Sequence, residues 1–484
     1  MVRASRRRAA AVHLPEASKR SGRVTRRRGV GEAQLASASA FLDEHGIRTV
    51  RVEVPDVDGV LRGKRYAAER FLDGCRDGGI PWSQALFCWD VAGRIYGNLE
   101  PAPWQDGHFG DVVVLPDLAT LAPVPWEPAT ASVLVDVRDA HGREVPVAPR
   151  GVLRRLAGQL AERGLAVQAA LELEFVLLRE SPDSAAAKRF VGLRPADPGD
   201  LAYSVLRTSE VLPLLDELHE LCNRAGIQLD VLHTEPGPGM IEANLRHRPL
   251  LDAADQAIRF KLAAKQLARR HGLMATFMAQ WAEGRSGCGG HIHHSLWQHD
   301  GRSAFVDDHG QFSARFHHWL AGQLHTMAEL CVLFNPTVNS WRRVASTAAA
   351  PRNASWGPQN RLAAIRVIPG DARHAHLEHR RSGADCNPYL AMAGCVAGGL
   401  HGLDGALEPW PPVEGSAYDA GPDVARPLPQ TLPEATARFR DSAVARKYLG
   451  DAFVDHYART REWEAREFDR AVTDWEVRRY LEQV

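Results

Sequence analysis

The stretch "ALELEFVLL", Ala170 to Leu178, sets two carboxylates into an otherwise apolar run. Side chains of an extended strand alternate faces, so Glu172 and Glu174 share one face while Leu171, Leu173 and Phe175 share the other. One face is built for a core, and the other carries two negative charges about 7 Å apart along the strand. Facing solvent, such a pair is ordinary. Enclosed, the charges need cations or must take up protons.

Outward from this strand the same pattern recurs. "GMIEANL" sets Glu242 and Asn244 opposite Ile241 and Ala243, and "GGHIHHSLW" sets His291, His293 and Ser295 on one face. "HLEHRR" pairs Glu378 with Arg380, with His376 before them, and "NRLAAIRVI" adds Arg361 and Arg366. Several short strands with an ionisable face fit a curved sheet that lines a wet or metal-binding cavity and packs its other face on helices. Glu172, Glu174, Glu235, Glu242 and Glu378 with His291 are hard oxygen and borderline nitrogen donors, suited to Mg²⁺ or Mn²⁺. They lack the thiolates of a structural zinc site. Arg343, Arg361, Arg366 and Arg380 supply planar forks for carboxylate and phosphate oxygens. Carboxylate-bound metals beside arginines form the electrostatic set that phosphoryl transfer needs. No G-x-x-x-x-G-K-[ST] loop is present, so a nucleotide would be held in some other way.

At 484 residues the chain is long enough for two or three domains. Its 59 basic and 59 acidic residues balance, which argues against a nucleic-acid or membrane-surface partner for the body of the protein. The seven cysteines are scattered without a C-x-x-C pair, so no disulfide framework is indicated and a reduced, cytoplasmic compartment is expected. "PYLAMAGCVAGGL" is apolar but too short to span a bilayer and reads as a closely packed helix. Ten basic groups and one acid fall between Arg3 and Arg28, without the apolar core of a secretory signal. This stretch reads as a disordered tail over residues 1–35 or as an arm for a polyanion.

From about residue 36 a helix, "LASASAFLDEHG", leads into a strand, a turn at Asp56-Val57-Asp58-Gly59 and a basic exit. Short strands and Pro-rich turns continue to about Pro149, which predicts a small α/β domain over 36–149 and a larger one over 150–484. "RGVLRRLAGQLAERG" has helical apolar spacing and delivers the chain to the Glu172 strand. Beyond it, strands and helices mix without regular βαβ alternation, so the fold class is α+β rather than doubly wound. The last ~50 residues predict two or more amphipathic helices.

The segments "DVDGVLRGK", "VLPDLATLAPVPW", "ELEF", "TEPGPGMIEANL", "GLMATFM", "GGHIHHSL", "NPTVNSWRR", "WGPQNRLAAIRV", "LEHR" and "NPYLAMA" resemble, in this order, those of the glutamine synthetase family. The resemblance runs from about residue 36 to the C-terminus. It implies a β-grasp-like N-terminal domain, a catalytic domain with a funnel-shaped antiparallel sheet, and a homo-oligomer, usually a dodecamer of two hexameric rings with active sites between subunits. Carried over by position, it implies that Glu174, Glu235 and Glu242 hold one metal and that Glu172, His291 and Glu378 hold a second. Gly287, His293 and Ser295 match substrate- and nucleotide-contacting positions. Arg343 and Arg380 match residues that grip glutamate and its phosphorylated form, and Arg361 and Arg366 match those that neutralise the transferring phosphoryl. Asp56 matches an acid lent by a neighbouring subunit to help deprotonate the amine. The implied partners are glutamate, ATP and an amine, joined through γ-glutamyl phosphate.

The departures concern the amine. Glutamine synthetases proper carry a Glu ten residues after the Asn of "NSYKR", and the count from Asn339 lands here on Ala349. Loss of charge and bulk at this point is typical of relatives that take larger amines such as putrescine, other polyamines, ethanolamine or aromatic amines. An organic amine is therefore expected in preference to ammonia, with glutamine synthetase itself and an inactive relative as the alternatives. Gln280-Trp281 replaces the usual Lys-Pro, and Trp281 reads as a packed indole or as a wall of an altered pocket. Ser286 replaces an Asn, Met240 a Gln and His376 an Arg. Tyr418 lies near the place where some bacterial members are adenylylated, in sequence that matches poorly, and reads as a structural tyrosine.

Overall fold

The computed structural model describes residues 30–99, 109–346 and 350–484. The basic stretch Arg3–Arg28 and Ala349 lie outside the described residues. The first helix, Glu32–Glu44, starts four residues before the expected end of the tail, because apolar spacing through Leu35, Ala38 and Leu42 already favours it.

The first sheet contains β1 (Thr49–Pro55), β2 (Leu61–Ala67), β3 (Ile80–Ser83), β4 (Asp111–Pro116), β5 (Ala122–Pro123) and β6 (Thr130–Arg138). Its order is β2-β1-β6-β4-β3, with β5 also on β6; β1 and β6 run parallel and the remaining pairs antiparallel. Val50, Val52 and Val54 of β1 point into its core with Val133 and Val135 of β6. The intervening Arg51 lies on the other face and pairs with Glu53 and Glu127.

The second sheet is built around β7 (Leu165–Leu178), the longest strand. It also holds β8 (Leu229–Thr234), β9 (Met240–Leu245), β10 (Arg248–Pro249), β11 (Met274–Thr276) and β12 (Gly290–Gln298). Beyond a short pair, β13 (Asn353–Ala354) with β17 (Arg426–Pro427), the sheet is completed by β14 (Trp356–Pro358), β15 (Ile365–Ile368) and β16 (His376–His379). The order is β14-β15-β16-β12-β7-β9-β8, with β10 and β11 on β7; β14 and β15 are parallel and the other pairs antiparallel. Leu171, Leu173 and Phe175 are fully buried, each contributing about 1.5–3 kcal/mol of burial. They pack on helices that include Leu250–Arg270, where Phe260 meets Phe175 edge to face. The fold is therefore α+β, with helices backing one face of a largely antiparallel sheet.

"PYLAMAGCVAGGL" forms the helix Pro388–Gly405, almost wholly buried. Its small residues let it lie against the helix Ala314–Phe334, where a methyl at Gly322 or Gly402 would overlap the other helix's backbone. All seven cysteines are buried, and none is in a disulfide. The C-terminal part folds into helices Leu432–Asp441, Ala443–Leu449, Asp451–Asp469 and Asp474–Tyr480. Among the described residues no helix is long and apolar enough to cross a membrane.

Candidate active site

Strand register brings the predicted side chains together. Across β7 and β12 Glu172 faces His291, and across β7 and β9 Glu174 faces Glu242. Across β12 and β16 His293 faces Glu378, which faces Arg366 across β15 and β16. The period-two alternation read from each segment thus places one residue set on one face of adjacent strands.

Glu172, His291 and Glu378 form one group in which a donor atom from each lies within 4.8 Å of the others. His291 Nδ1 is 3.3 Å from Glu172 Oε2 and 3.6 Å from Glu378 Oε1. His293 Nε2 approaches Glu172 Oε1 at 3.1 Å, and His293 Nδ1 lies 3.1 Å from His376 Nε2. The expected set Glu174, Glu235 and Glu242 divides in two: Glu174 and Glu242 converge with His291, while Glu235 and Glu242 converge with His233. Glu242 is the shared acid.

Electrostatics explains why these acids tolerate one enclosure. Burial would raise Glu172, yet His291 and His293 hold it far below the usual carboxylate range. Burial opposes a charge on His293 as well, but Glu172 outweighs it and lifts the ring above its ordinary value. For Glu242, burial with Glu172, Glu174 and Glu235 nearby outweighs a hydrogen bond from Asn244 and pushes it up to about 9. Acids and imidazoles that can share their space only by taking up a proton make a donor set that fits a hard divalent cation.

Two residues here escaped the sequence reading. His233 precedes Glu235 by two on β8, and its Nε2 is 2.9 Å from Glu235 Oε1 and 3.6 Å from Glu242 Oε1. Alternation along "VLHTE" carried the signal. Tyr203 rests on His233 with ring centroids 5.0 Å apart, its backbone in the left-handed region at φ 56°. It comes from a loop, where periodicity carries no information.

The four arginines differ in their commitments. Arg380 and Arg366 both bond Glu378, the latter from Nη1 at 3.0 Å. Arg361 is exposed on the turn before β15, not on a strand as its segment suggested. Arg343, on the helix Val338–Ser346, is 2% exposed and donates from Nη1 to the Arg381 carbonyl at 3.3 Å. No acid lies within ion-pair distance of it among the described residues, and its Nε has no partner. Gly287 and Gly289 make room for it: a methyl at Gly287 would lie 2.7 Å from Arg343 Cγ, and one at Gly289 2.6 Å from His291 Nε2. The Gly289 N–H also donates to the Glu174 carboxylate.

Asp56 stands apart from these groups. It is fully buried, and its carboxylate accepts from Asp58 N at 3.0 Å, Val60 N at 2.8 Å and Arg62 Nε at 2.7 Å. Asn387 Nδ2 donates to the Asp56 carbonyl at 3.0 Å, which docks the turn on the helix Pro388–Gly405. Both carboxylate oxygens bond within this turn, Oδ1 to two backbone N–H groups and Oδ2 to Arg62. Ser295 accepts from Trp297 Nε1 at 2.9 Å and lines the same cleft as His293 and His376. Trp281 is half-buried against the main core, and Met240 is buried in it. Tyr418 keeps its hydroxyl buried beneath Arg352, whose guanidinium lies 6.0 Å from the ring centre.

Residues 146–480 match the family described as glutamine synthetase, catalytic domain. The chain is 37% identical over 451 residues to the glutamate–isopropylamine ligase of a Pseudomonas species, covering 93% of this chain and 98% of that protein. It is 38% identical over 456 residues to a γ-glutamylethanolamide synthetase of Streptomyces coelicolor, covering 94% and 96%. The γ-glutamylputrescine synthetase of Escherichia coli is 32% identical over 460 residues, covering 92% and 94%. Among solved structures, the ADP complex of GmaS superposes with a TM-score of 0.80 at 26% identity, covering 92% of this chain and 99% of that one. A sheet that gathers carboxylates and imidazoles beside a buried arginine with no ion pair among the described residues, together with these matches over nine-tenths of the sequence, shows that the chain belongs to the glutamine synthetase family.

Proposed function

We propose that this protein is an ATP-dependent ligase that joins the γ-carboxylate of glutamate to an organic amine. Arg343 carries the reading: a buried guanidinium with no acid of its own, beside the acid and imidazole groups, is suited to a substrate carboxylate. The amine is read from the three relatives named for isopropylamine, ethanolamide and putrescine.

In the first step a γ-carboxylate oxygen of glutamate attacks the γ-phosphorus of ATP and ADP leaves. In the second the amine nitrogen attacks the acyl carbon, phosphate leaves and the amine sheds a proton. Arg343 and Arg380 are assigned to glutamate and its acyl phosphate, Arg361 and Arg366 to the transferring phosphoryl, and His293, Ser295 and Gly287 to substrate and nucleotide contacts. Glu172, His291 and Glu378 would hold one Mg²⁺ or Mn²⁺ and Glu174, Glu235 and Glu242 another, with His233 beside them. Bound there, divalent cations neutralise phosphate oxygens. An N-terminal domain over 36–149, a catalytic domain over 150–484, a cytoplasmic location and a dodecamer of two rings belong to the same proposal.

Purified protein with Mg²⁺ or Mn²⁺ is tested for phosphate release against ammonia, ethanolamine, putrescine, spermine, isopropylamine and an aromatic amine. Release should require both glutamate and an organic amine, with ammonia a poor substitute. Silence across the panel, or ammonia saturating at low concentration, overturns the proposal.

A further inference from the structure

Among the described residues three donor groups overlap on the second sheet, and each contains one imidazole. His291 serves Glu172 with Glu378 and also Glu174 with Glu242, while His233 serves Glu235 with Glu242. His233 faces Glu242 across β8 and β9, and Glu174 faces the same Glu242 across β7 and β9, so the three form one row over adjacent strands. Glu235 follows His233 by two and shares its face, because its N–H still bonds the Met240 carbonyl of β9 at 3.1 Å.

The imidazole of His233 has no other task. Its Nε2 lies 2.9 Å from Glu235 Oε1 and 3.6 Å from Glu242 Oε1, while its Nδ1 is buried with no partner among the described residues. The Tyr203 ring rests against it, and the Tyr203 N–H bonds the Thr234 carbonyl at 2.8 Å, so packing rather than a hydrogen bond sets the plane of the imidazole. Around a six-coordinate ion with bonds of about 2.1 Å, adjacent donors stand about 3.0 Å apart. The separation from Glu235 matches that spacing, and a small carboxylate rotation brings Glu242 to it.

Ligand chemistry decides which ion gains from this nitrogen. Mg²⁺ takes oxygen donors and sheds its waters reluctantly, whereas Mn²⁺ accepts the same carboxylates and, as a first-row transition ion, imidazole as well. We propose that His233 Nε2 is a metal ligand alongside Glu235 and Glu242, in a site that holds Mn²⁺ in preference to Mg²⁺. The inference deepens the reading above at one of its two metal groups and rests on it for the presence of a cation. A histidine that merely paired with Glu235 would weigh equally on both ions.

Metal binding is measured on the full chain without glutamate, ATP or amine, so a failure here leaves the ligase reading standing, and a silent amine panel leaves this inference standing. Electron paramagnetic resonance of free Mn²⁺, with Mg²⁺ as competitor, gives the two affinities. His233→Gln keeps an oxygen donor and should weaken one bound Mn²⁺ about tenfold while changing Mg²⁺ by less than about twofold. Nitrogen modulation of the Mn²⁺ spin echo then identifies the ligand. Mn²⁺ on His291→Gln should still show an imidazole nitrogen, and adding His233→Gln should abolish it with the circular dichroism of the parent retained. Absence of Mn²⁺ binding, an unchanged Mn²⁺ to Mg²⁺ preference in His233→Gln, no nitrogen in His291→Gln, or nitrogen persisting in the double variant overturns the proposal.

Discussion

At the scale of single residues, Arg343 is the sharpest test of the proposed chemistry. Replacing it by Lys keeps the charge but loses the fork that a carboxylate can engage with two hydrogen bonds. Arg343→Lys should lower kcat/KM for glutamate by about 10²-fold, with the KM for ATP little changed and the circular dichroism of the parent retained. Steady-state kinetics with each substrate varied in turn checks this, and a variant as active as the parent would remove Arg343 from substrate binding. Asp56 makes a prediction about pH. Burial, with Asp58 beside it, raises its carboxyl from 3.8 to about 7 despite Arg62. Between these values the folded chain holds a proton that the unfolded chain has released, so this group's contribution to stability falls as pH rises from about 4 to about 7. Asp56→Asn keeps an acceptor for the Asp58 and Val60 N–H groups but cannot titrate. Its thermal midpoint should therefore change less over that range than the parent's, read as the difference between the two curves. Because the structure commits both oxygens to the turn, this variant should also keep most of its turnover. Loss of about 10² or more in kcat would instead assign Asp56 the expected role of helping to deprotonate the amine.

At the scale of elements, two packing devices decide where the site lies, and they were unequally legible. Alternation along β7 was readable because period two is a property of the backbone, so Leu171, Leu173 and Phe175 had to oppose Glu172 and Glu174 once the segment was extended. The same held for β9, β12 and β16. What alternation cannot give is which strands are neighbours, and this is why the set expected from Glu174, Glu235 and Glu242 came out divided. Only the pairing of β8 with β9 brings His233 to Glu242 and makes that acid common to two groups. Arg361 shows the opposite limit, since its segment read as a strand whereas the strand begins only at Ile365. The helix Pro388–Gly405 was legible from its small residues, though not its partner. Gly402 lies against the His318 carbonyl and Gly322 of the helix Ala314–Phe334, leaving no room for a methyl. Gly402→Ala should cost about 1–3 kcal/mol or more through overpacking, measured by urea denaturation, whereas Ala at Gly421, which has open space around it, should change stability by less than about 1 kcal/mol.

At the scale of the whole molecule, the two sheets meet through buried charge. Arg150 joins them once, donating to Asp117 and Asp136 of the first part and to Asp255 of the helix Leu250–Arg270. Arg461 joins them again from the C-terminal helices. Its guanidinium bonds Asp58 in the turn after β1 and the Pro336 carbonyl at 2.8 Å, just before the helix that carries Arg343. Tyr96 completes the cluster by donating to Asp58 Oδ2 at 2.8 Å. None of this was visible in the sequence, because the partners lie from 14 to 403 positions apart and no local pattern records them. Removing one member of a buried pair costs more than removing both, since the remaining charge loses its compensation in a dry site. Arg461→Met should therefore destabilise the chain by about 3–5 kcal/mol, while Arg461→Met with Asp58→Asn should recover part of that loss. Chemical denaturation of the parent, both single variants and the double variant closes the cycle. The Arg461→Met protein should also show a raised KM for glutamate, because Pro336 and the Arg343 helix lose their tie to the first sheet. A double variant no more stable than Arg461→Met would mean that the arginine acts by packing rather than by neutralising Asp58, leaving Arg150 as the buried charge that couples the two sheets.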